Sequence, residues 1–134
     1  MKKDIEIPKV KNITIAIARE KNLLQTYEWK VYLINNNDVE LENTLVSSTG
    51  YGEKDGQQQK TSTLRHFLQT VPAKSTALIE SIDENVFHLN NEYWLSYYIG
   101  KQIYDKKFVF VPDSIKEDNL TYIKELEKEG ILHS

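Results

Sequence analysis

Three segments of the chain carry residue types that could bind a ligand or take part in chemistry, and the first is rich in glycine. Glycines let backbone N–H groups crowd around an anion, so Gly50, Gly52 and Gly56 suggest a phosphate site. Their spacing fits neither the Walker nor the dinucleotide-binding motif, and Glu53 and Asp55 would repel phosphate. The segment predicts a flexible hairpin loop, with phosphate or small-molecule binding at these glycines as the alternative.

The second group is a pair of histidines. His66 and His88 lie in strand-like segments, and Asp83, Glu84 and Glu92 are near enough in sequence to suggest a metal or an acid–base site. No two histidines stand at a spacing that places two metal ligands on one face of an element. We therefore expect no metal, no cofactor and no enzymatic activity. The alternative is a ligand-binding or enzymatic domain that combines the glycine segment with His66 or His88.

The third group is the aromatic segment at residues 93–99. If it is a strand, Tyr93, Leu95 and Tyr97 share one face, and Trp94 and Tyr98 share the other. A sandwich that buries the first set leaves Trp94 and Tyr98 near solvent, where they could bind a protein partner or stack on a carbohydrate. The alternative is that a C-terminal helix or an N-terminal segment covers them.

The elements that hold these residues are predominantly β-strands. Residues 27–34 alternate large apolar and polar side chains and place Tyr27, Trp29, Val31 and Leu33 on one face, so we expect Trp29 in the core. Similar segments with turn signals about every 8–12 residues predict seven or eight strands. The fold class is mainly β: an immunoglobulin-like antiparallel β-sandwich over residues 12–111, within a single domain spanning residues 1–134.

The chain after Pro112 has a different character. Ser114 and Glu117 have the spacing of a helix capping box. Four large side chains could form an apolar stripe along a helix: Ile115, Tyr122, Ile123 and Leu126. Gly130 stands where a helix C-cap would lie. This pattern predicts one C-terminal α-helix over residues 113–130.

Composition limits the functional classes. The chain has no cysteine, which excludes disulfides, and its net charge of −3 with scattered lysines disfavours nucleic-acid binding. The first eight residues lack the apolar run of a signal peptide, and no window is long and apolar enough to cross a bilayer. We expect a cytoplasmic protein that binds neither nucleic acid nor membranes. Usage rich in Asn, Lys, Ile and Tyr favours a bacterial source.

From residue 27 to Pro112 the order of features resembles the ApaG family of small bacterial β-sandwich domains with fibronectin type III-like topology. The points of resemblance are the alternating strand with its Asn turn, Gly50-Tyr51-Gly52, the turn at Pro72 and the segment before Pro112. The glycine segment departs from the family's G-x-G-x-x-G by one residue. The resemblance implies a binding or accessory domain whose glycine loop is suspected of contacting phosphate.

Together these patterns predict a protein-interaction or accessory module. Its partner would be another protein or a second copy, bound through the aromatic face or the C-terminal helix.

Overall fold

A computed structural model describes residues 8–134, which form ten β-strands and two short 3-10 turns. Neither turn is a helix long and apolar enough to cross a membrane, and the described residues contain no other helix. The strands are β1 (Ile13–Lys21), β2 (Tyr27–Asn35), β3 (Leu41–Lys54), β4 (Gln57–Lys60), β5 (Leu64–Val71), β6 (Ser75–Ile82), β7 (Asn90–Ile99), β8 (Gln102–Phe110), β9 (Thr121–Ile123) and β10 (Lys128–His133).

The strands form two antiparallel sheets. The first sheet has the order β6-β2-β1-β10-β9, and the second has β3 at its centre, with β4 and β5 paired to one side of it and β7 and then β8 on the other. Apolar side chains from both sheets form one buried cluster, so the predicted β-sandwich is confirmed. The described part of the chain contains ten strands rather than seven or eight, because the glycine segment and the C-terminal segment each form strands.

The alternation predicted for β2 is confirmed. Trp29, Val31 and Leu33 are buried against the second sheet, and Trp29 Nε1 donates a hydrogen bond of 3.0 Å to Glu84 Oε1. Phe87 packs edge-on against the Trp29 ring with a centroid separation of 5.2 Å. Tyr27 lies beyond the core and is half exposed, with the Arg19 guanidinium 4.0 Å above its ring.

The predicted C-terminal helix is wrong. Residues 113–130 instead contain a 3-10 turn (Glu117–Asn119), β9 and the beginning of β10, which pairs with β1. The hydroxyl of Ser114 donates to the carbonyl of Val111 at 2.7 Å and caps no helix. Gly130 lies inside β10, where an added Cβ would stand 2.5 Å from the backbone oxygen of Ile17.

The apolar residues of this segment explain why a strand replaces the helix. Ile115 enters the main core, whereas Ile123 and Leu126 pack on the opposite surface of the first sheet, against Ala16 and Ala18. A helix would present all three along one side and could not reach both surfaces. Pairing with β1 also satisfies the backbone groups along an edge that the first sheet would otherwise leave open.

Candidate functional site

The outer surface of the second sheet carries several exposed apolar side chains. Val46, Leu95 and Phe108 point into the core, so their neighbours along β3, β7 and β8 point outward. Within residues 8–134, no helix covers this surface. We call it the Trp94 face, and its members are Glu42, Leu45, Ser47, Thr49, Arg65, Phe67, Glu92, Trp94, Ser96, Tyr98, Ile103, Asp105, Lys107 and Val109.

Large apolar side chains on the Trp94 face are unusually exposed. Phe67 is 59% exposed, Trp94 47% and Ile103 45%, while Leu45 and Tyr98 are partly buried. Leu45 is the cross-strand partner of Phe67, and Tyr98 is the partner of Ile103. Trp94 and Tyr98 lie on either side of Ser96, the β7 partner of Leu45, so both are diagonal neighbours of Leu45 and connect the two pairs. Single exposed apolar residues are normal, but a contiguous apolar surface on a monomer marks an interaction site.

Charged residues of both signs lie at the edges of this face. Arg65 and Lys107 lie at the two ends of the cross-strand row that contains Trp94, and the Lys107 Nζ is 5.8 Å from the centre of the Trp94 ring. Asp105 lies at the end of the next row, which contains Ser96. Lys107 also approaches a Glu92 carboxylate oxygen at 3.9 Å. An apolar centre with a charged rim is the general anatomy of a protein interface.

The sequence located part of this site. The sequence separated Trp94 and Tyr98 from Tyr93, Leu95 and Tyr97 but left open which set is exposed; the structure buries Tyr93, Leu95 and Tyr97, so Trp94 points away from the core. Tyr98 lies on the same face as Trp94, with Ser96 between them. Sequence reasoning missed Phe67, Leu45 and Ile103, because only the strand register shows that they share the surface.

The three glycines lie away from the Trp94 face. Gly50 and Gly52 are inside β3, and Gly56 forms the turn between β3 and β4 with Asp55, both at positive φ. The Gly50 N–H is not free to bind an anion, since it donates a hydrogen bond of 2.8 Å to the Thr61 hydroxyl oxygen. The segment is therefore a β-hairpin with engaged backbone groups rather than the expected loop, and its proposed role as a phosphate site stays a prediction.

A second group of polar side chains meets inside the sandwich around Glu80. A β-bulge at Ile79 shifts the alternation of β6, since Val31 pairs with Glu80 whereas Tyr32 pairs with Leu78. Glu80 therefore points inward, although the spacing from Ala77 would place it outside. The sequence carries no signal for this bulge.

Three side chains from other strands contact the Glu80 carboxylate. The Ser48 hydroxyl donates to Oε1 at 2.7 Å, the His66 Nε2 lies 2.7 Å from the same oxygen, and the Tyr93 hydroxyl donates to Oε2 at 3.1 Å. Burial and the neighbouring Glu80 charge raise the pKa of the Tyr93 hydroxyl well above its usual range. Tyr93 therefore acts as a neutral donor.

The Glu80 group links the two sheets. It borders a cavity of about 180 Å³ that Gly50 and Thr61 also line. Ser48, His66 and Tyr93 all contact the Glu80 carboxylate, so these hydrogen bonds connect β3, β5 and β7 of the second sheet to β6 of the first. A buried carboxylate with its hydrogen bonds satisfied in this way contributes to the specificity of sheet packing.

The second histidine lies apart from this group. His88 Nε2 is 2.7 Å from the side-chain oxygen of Gln59, and Asp83 accepts from the backbone amide of Asn85. Across residues 8–134, no three His, Asp or Glu side chains come together in a way that could hold a metal ion.

Comparisons with known proteins assign no family to this chain. No protein-family model matches the chain, and a search of curated proteins finds no significant match. The resemblance to the ApaG family therefore stays a prediction.

Proposed function

We propose that this chain is a non-catalytic protein-interaction module that binds through the Trp94 face. One observation carries the proposal: a contiguous apolar surface crosses four strands, and its aromatic centre stays exposed within the described chain. Interface cores are enriched in aromatic residues, and truncating a central tryptophan commonly costs about 2 kcal/mol or more of binding free energy.

The geometry favours a protein over a carbohydrate at this face. Trp94 and Tyr98 are four residues apart on one strand, which separates their Cα atoms by about 13 Å. Ser96 lies between them, so the two rings do not close around one sugar ring. A protein surface can instead contact Trp94, Phe67 and Ile103 together, because these residues spread across the sheet.

The finer description of the molecule is part of the same proposal. We place the sandwich in the immunoglobulin-like class and consider the ApaG-like domains its best structural analogy, since the alternating β2 and the turn at Pro72 support both. The proposed setting is the cytoplasm of a bacterium, as an accessory module. The lack of cysteine and the residue usage support this setting.

Photo-cross-linking tests the interaction. A photoreactive amino acid replaces Ser47, which lies between Arg65 and Trp94 on the face, and the tagged chain is irradiated in the cells that express it. We expect discrete adducts with a polypeptide. The control position is Thr76, an exposed residue of β6 in the first sheet, which should give none.

Matched substitutions show whether the apolar surface drives the contact. Trp94→Ser should remove the adducts from position 47, whereas Leu78→Ser, a similarly exposed apolar residue on β6, should leave them unchanged. Far-ultraviolet circular dichroism confirms that each variant is folded. Absence of adducts from position 47, or equal adducts from both positions, would refute the proposed function.

A further inference from the structure

We infer that the protein that covers the Trp94 face is a second copy of this chain, held by a two-fold axis that runs across the strands between the Trp94 row and the Ser96 row. This inference rests on the proposed function, because it names the occupant of the same surface. The observation behind it is that the two central rows of the face complement each other.

The strand register defines these two rows. Reading across β5, β3, β7 and β8, the Trp94 row is Arg65, Ser47, Trp94 and Lys107, and the Ser96 row is Phe67, Leu45, Ser96 and Asp105. When two such faces pack together about an axis in the interface plane between the rows, each row lies over the other row of the partner. Every residue then meets the residue two positions along its own strand.

The charges agree with this arrangement. Lys107 comes to lie over the partner's Asp105, and Asp105 over the partner's Lys107, which gives two equivalent ion pairs. Arg65 lies over the ring of the partner's Phe67, a favourable cation–π placement. Complementary charge at an interface fixes its register more than its affinity, so these contacts select the axis.

The sizes of the side chains that meet across this axis are complementary as well. Trp94 is exposed at the centre of the face, and the small Ser96 follows it two positions along the same strand. The axis places Trp94 over the partner's Ser96 in both directions. Interdigitation of a large and a small side chain is what dense packing of two sheets requires.

Other two-fold axes on this face are unfavourable. An axis parallel to the strands, between β3 and β7, would place Arg65 over the partner's Lys107 and Phe67 over the partner's Asp105. An axis along the Trp94 row itself would stack Trp94 on its own copy and oppose Lys107 to its own copy. Like charges across an interface cost several kcal/mol. The axis between the Trp94 row and the Ser96 row avoids both problems.

The area of the face indicates a weak dimer. Four strands at about 4.8 Å spacing and seven or so residues at about 3.3 Å give a surface of about 20 by 25 Å. The two copies would therefore bury about 1,000 Å² in total, near the lower limit for a specific interface. We expect reversible association with a dissociation constant in the micromolar range or weaker.

Sedimentation equilibrium with reversed charges tests the inference. The intact chain is measured from about 5 to about 500 μM, with Lys107→Asp, Asp105→Lys and the double variant. Each single reversal places like charges across the axis and should weaken association by about tenfold or more. The double reversal restores opposite charges and should recover affinity to within about threefold of the parent. Lys124→Asp, at an exposed position of the terminal hairpin, is the control and should change nothing.

The outcomes separate this inference from the proposed function. A concentration-dependent dimer that the double reversal restores supports a second copy on the face. A parent chain that remains monomeric throughout, or a double variant no better than the single variants, overturns it. In that case, adducts between position 47 and a different polypeptide would leave the proposed function standing, and absence of all adducts would refute both.

Discussion

The substitution Gly130→Ala tests whether the C-terminal segment forms a strand against β1. In the structure an added Cβ would stand 2.5 Å from the carbonyl oxygen of Ile17 and 2.9 Å from the Cα of Ala18. Both atoms belong to the backbone of β1, which lies between β2 and β10 in the first sheet and cannot move aside. The Cβ would also stand 2.7 Å from the Cδ1 of Ile123.

The size of the effect follows from these contacts. Overpacking of a well-packed region typically costs about 1–3 kcal/mol, and clashes with backbone atoms lie at the upper end because no rotamer change relieves them. We therefore expect Gly130→Ala to lower the free energy of unfolding by about 3 kcal/mol. If residue 130 instead formed the C-cap of the expected helix, in the left-handed region, alanine would cost only about 1–2 kcal/mol. Pairing with β1 therefore predicts the larger loss of stability.

Urea denaturation monitored by circular dichroism measures this difference. The control is Gly56→Asn, in the turn between β3 and β4, where an added Cβ meets nothing within 4 Å and asparagine tolerates the positive φ. That variant should stay within about 1 kcal/mol of the parent. A Gly130→Ala variant as stable as the parent, or more stable, would refute the pairing of β10 with β1.

Three further predictions follow from the core and its charged groups. Trp29→Ala should cost about 3–5 kcal/mol in chemical denaturation, because it empties the space beside Phe87; a change near zero would place the wrong face of β2 in the core. Glu80→Ala should cost about 1–3 kcal/mol, because it leaves buried donors without an acceptor, and the loss should be smaller in a Tyr93→Phe background. The hydrogen bond from Lys30 lowers the pKa of Glu20 in the folded state. The ionised Glu20 therefore stabilises the fold above its unfolded-state pKa, and this stabilisation is lost as the pH falls through the lowered folded-state pKa. Glu20→Gln should flatten the stability profile over that acidic range, and an unchanged slope would contradict the assigned contact.

The sequence was sufficient where a strand repeats a simple alternation. The buried position of Trp29 follows from a period of two residues. The same period separates Trp94 and Tyr98 from Tyr93 and Tyr97, but it does not say which of these two faces is exposed. That outcome depends on the neighbouring strands and on what packs against them.

The sequence was insufficient where the structure depends on partners distant in the chain. Ser114 and Glu117 have capping-box spacing, but Glu117 begins a 3-10 turn and the Ser114 hydroxyl caps no helix. The close approach of Gly130 to Ile17 became visible only with the register of β10. The inward position of Glu80 depends on a β-bulge at Ile79, and no pattern in the sequence predicts this bulge. Tertiary pairing therefore overrode the local helical signals.

We expect the Trp94 face to be open in the single chain and to become covered on association. Trp29→Phe leaves Trp94 as the only tryptophan, so acrylamide quenching of its fluorescence reports on this face alone. We expect ready quenching and red-shifted emission in dilute solution, with protection and a blue shift as the concentration rises. In the Lys107→Asp variant this protection should require about tenfold higher concentration or more. Emission that is blue-shifted and protected at the lowest concentration would mean that the chain itself covers Trp94, and would contradict an open Trp94 face.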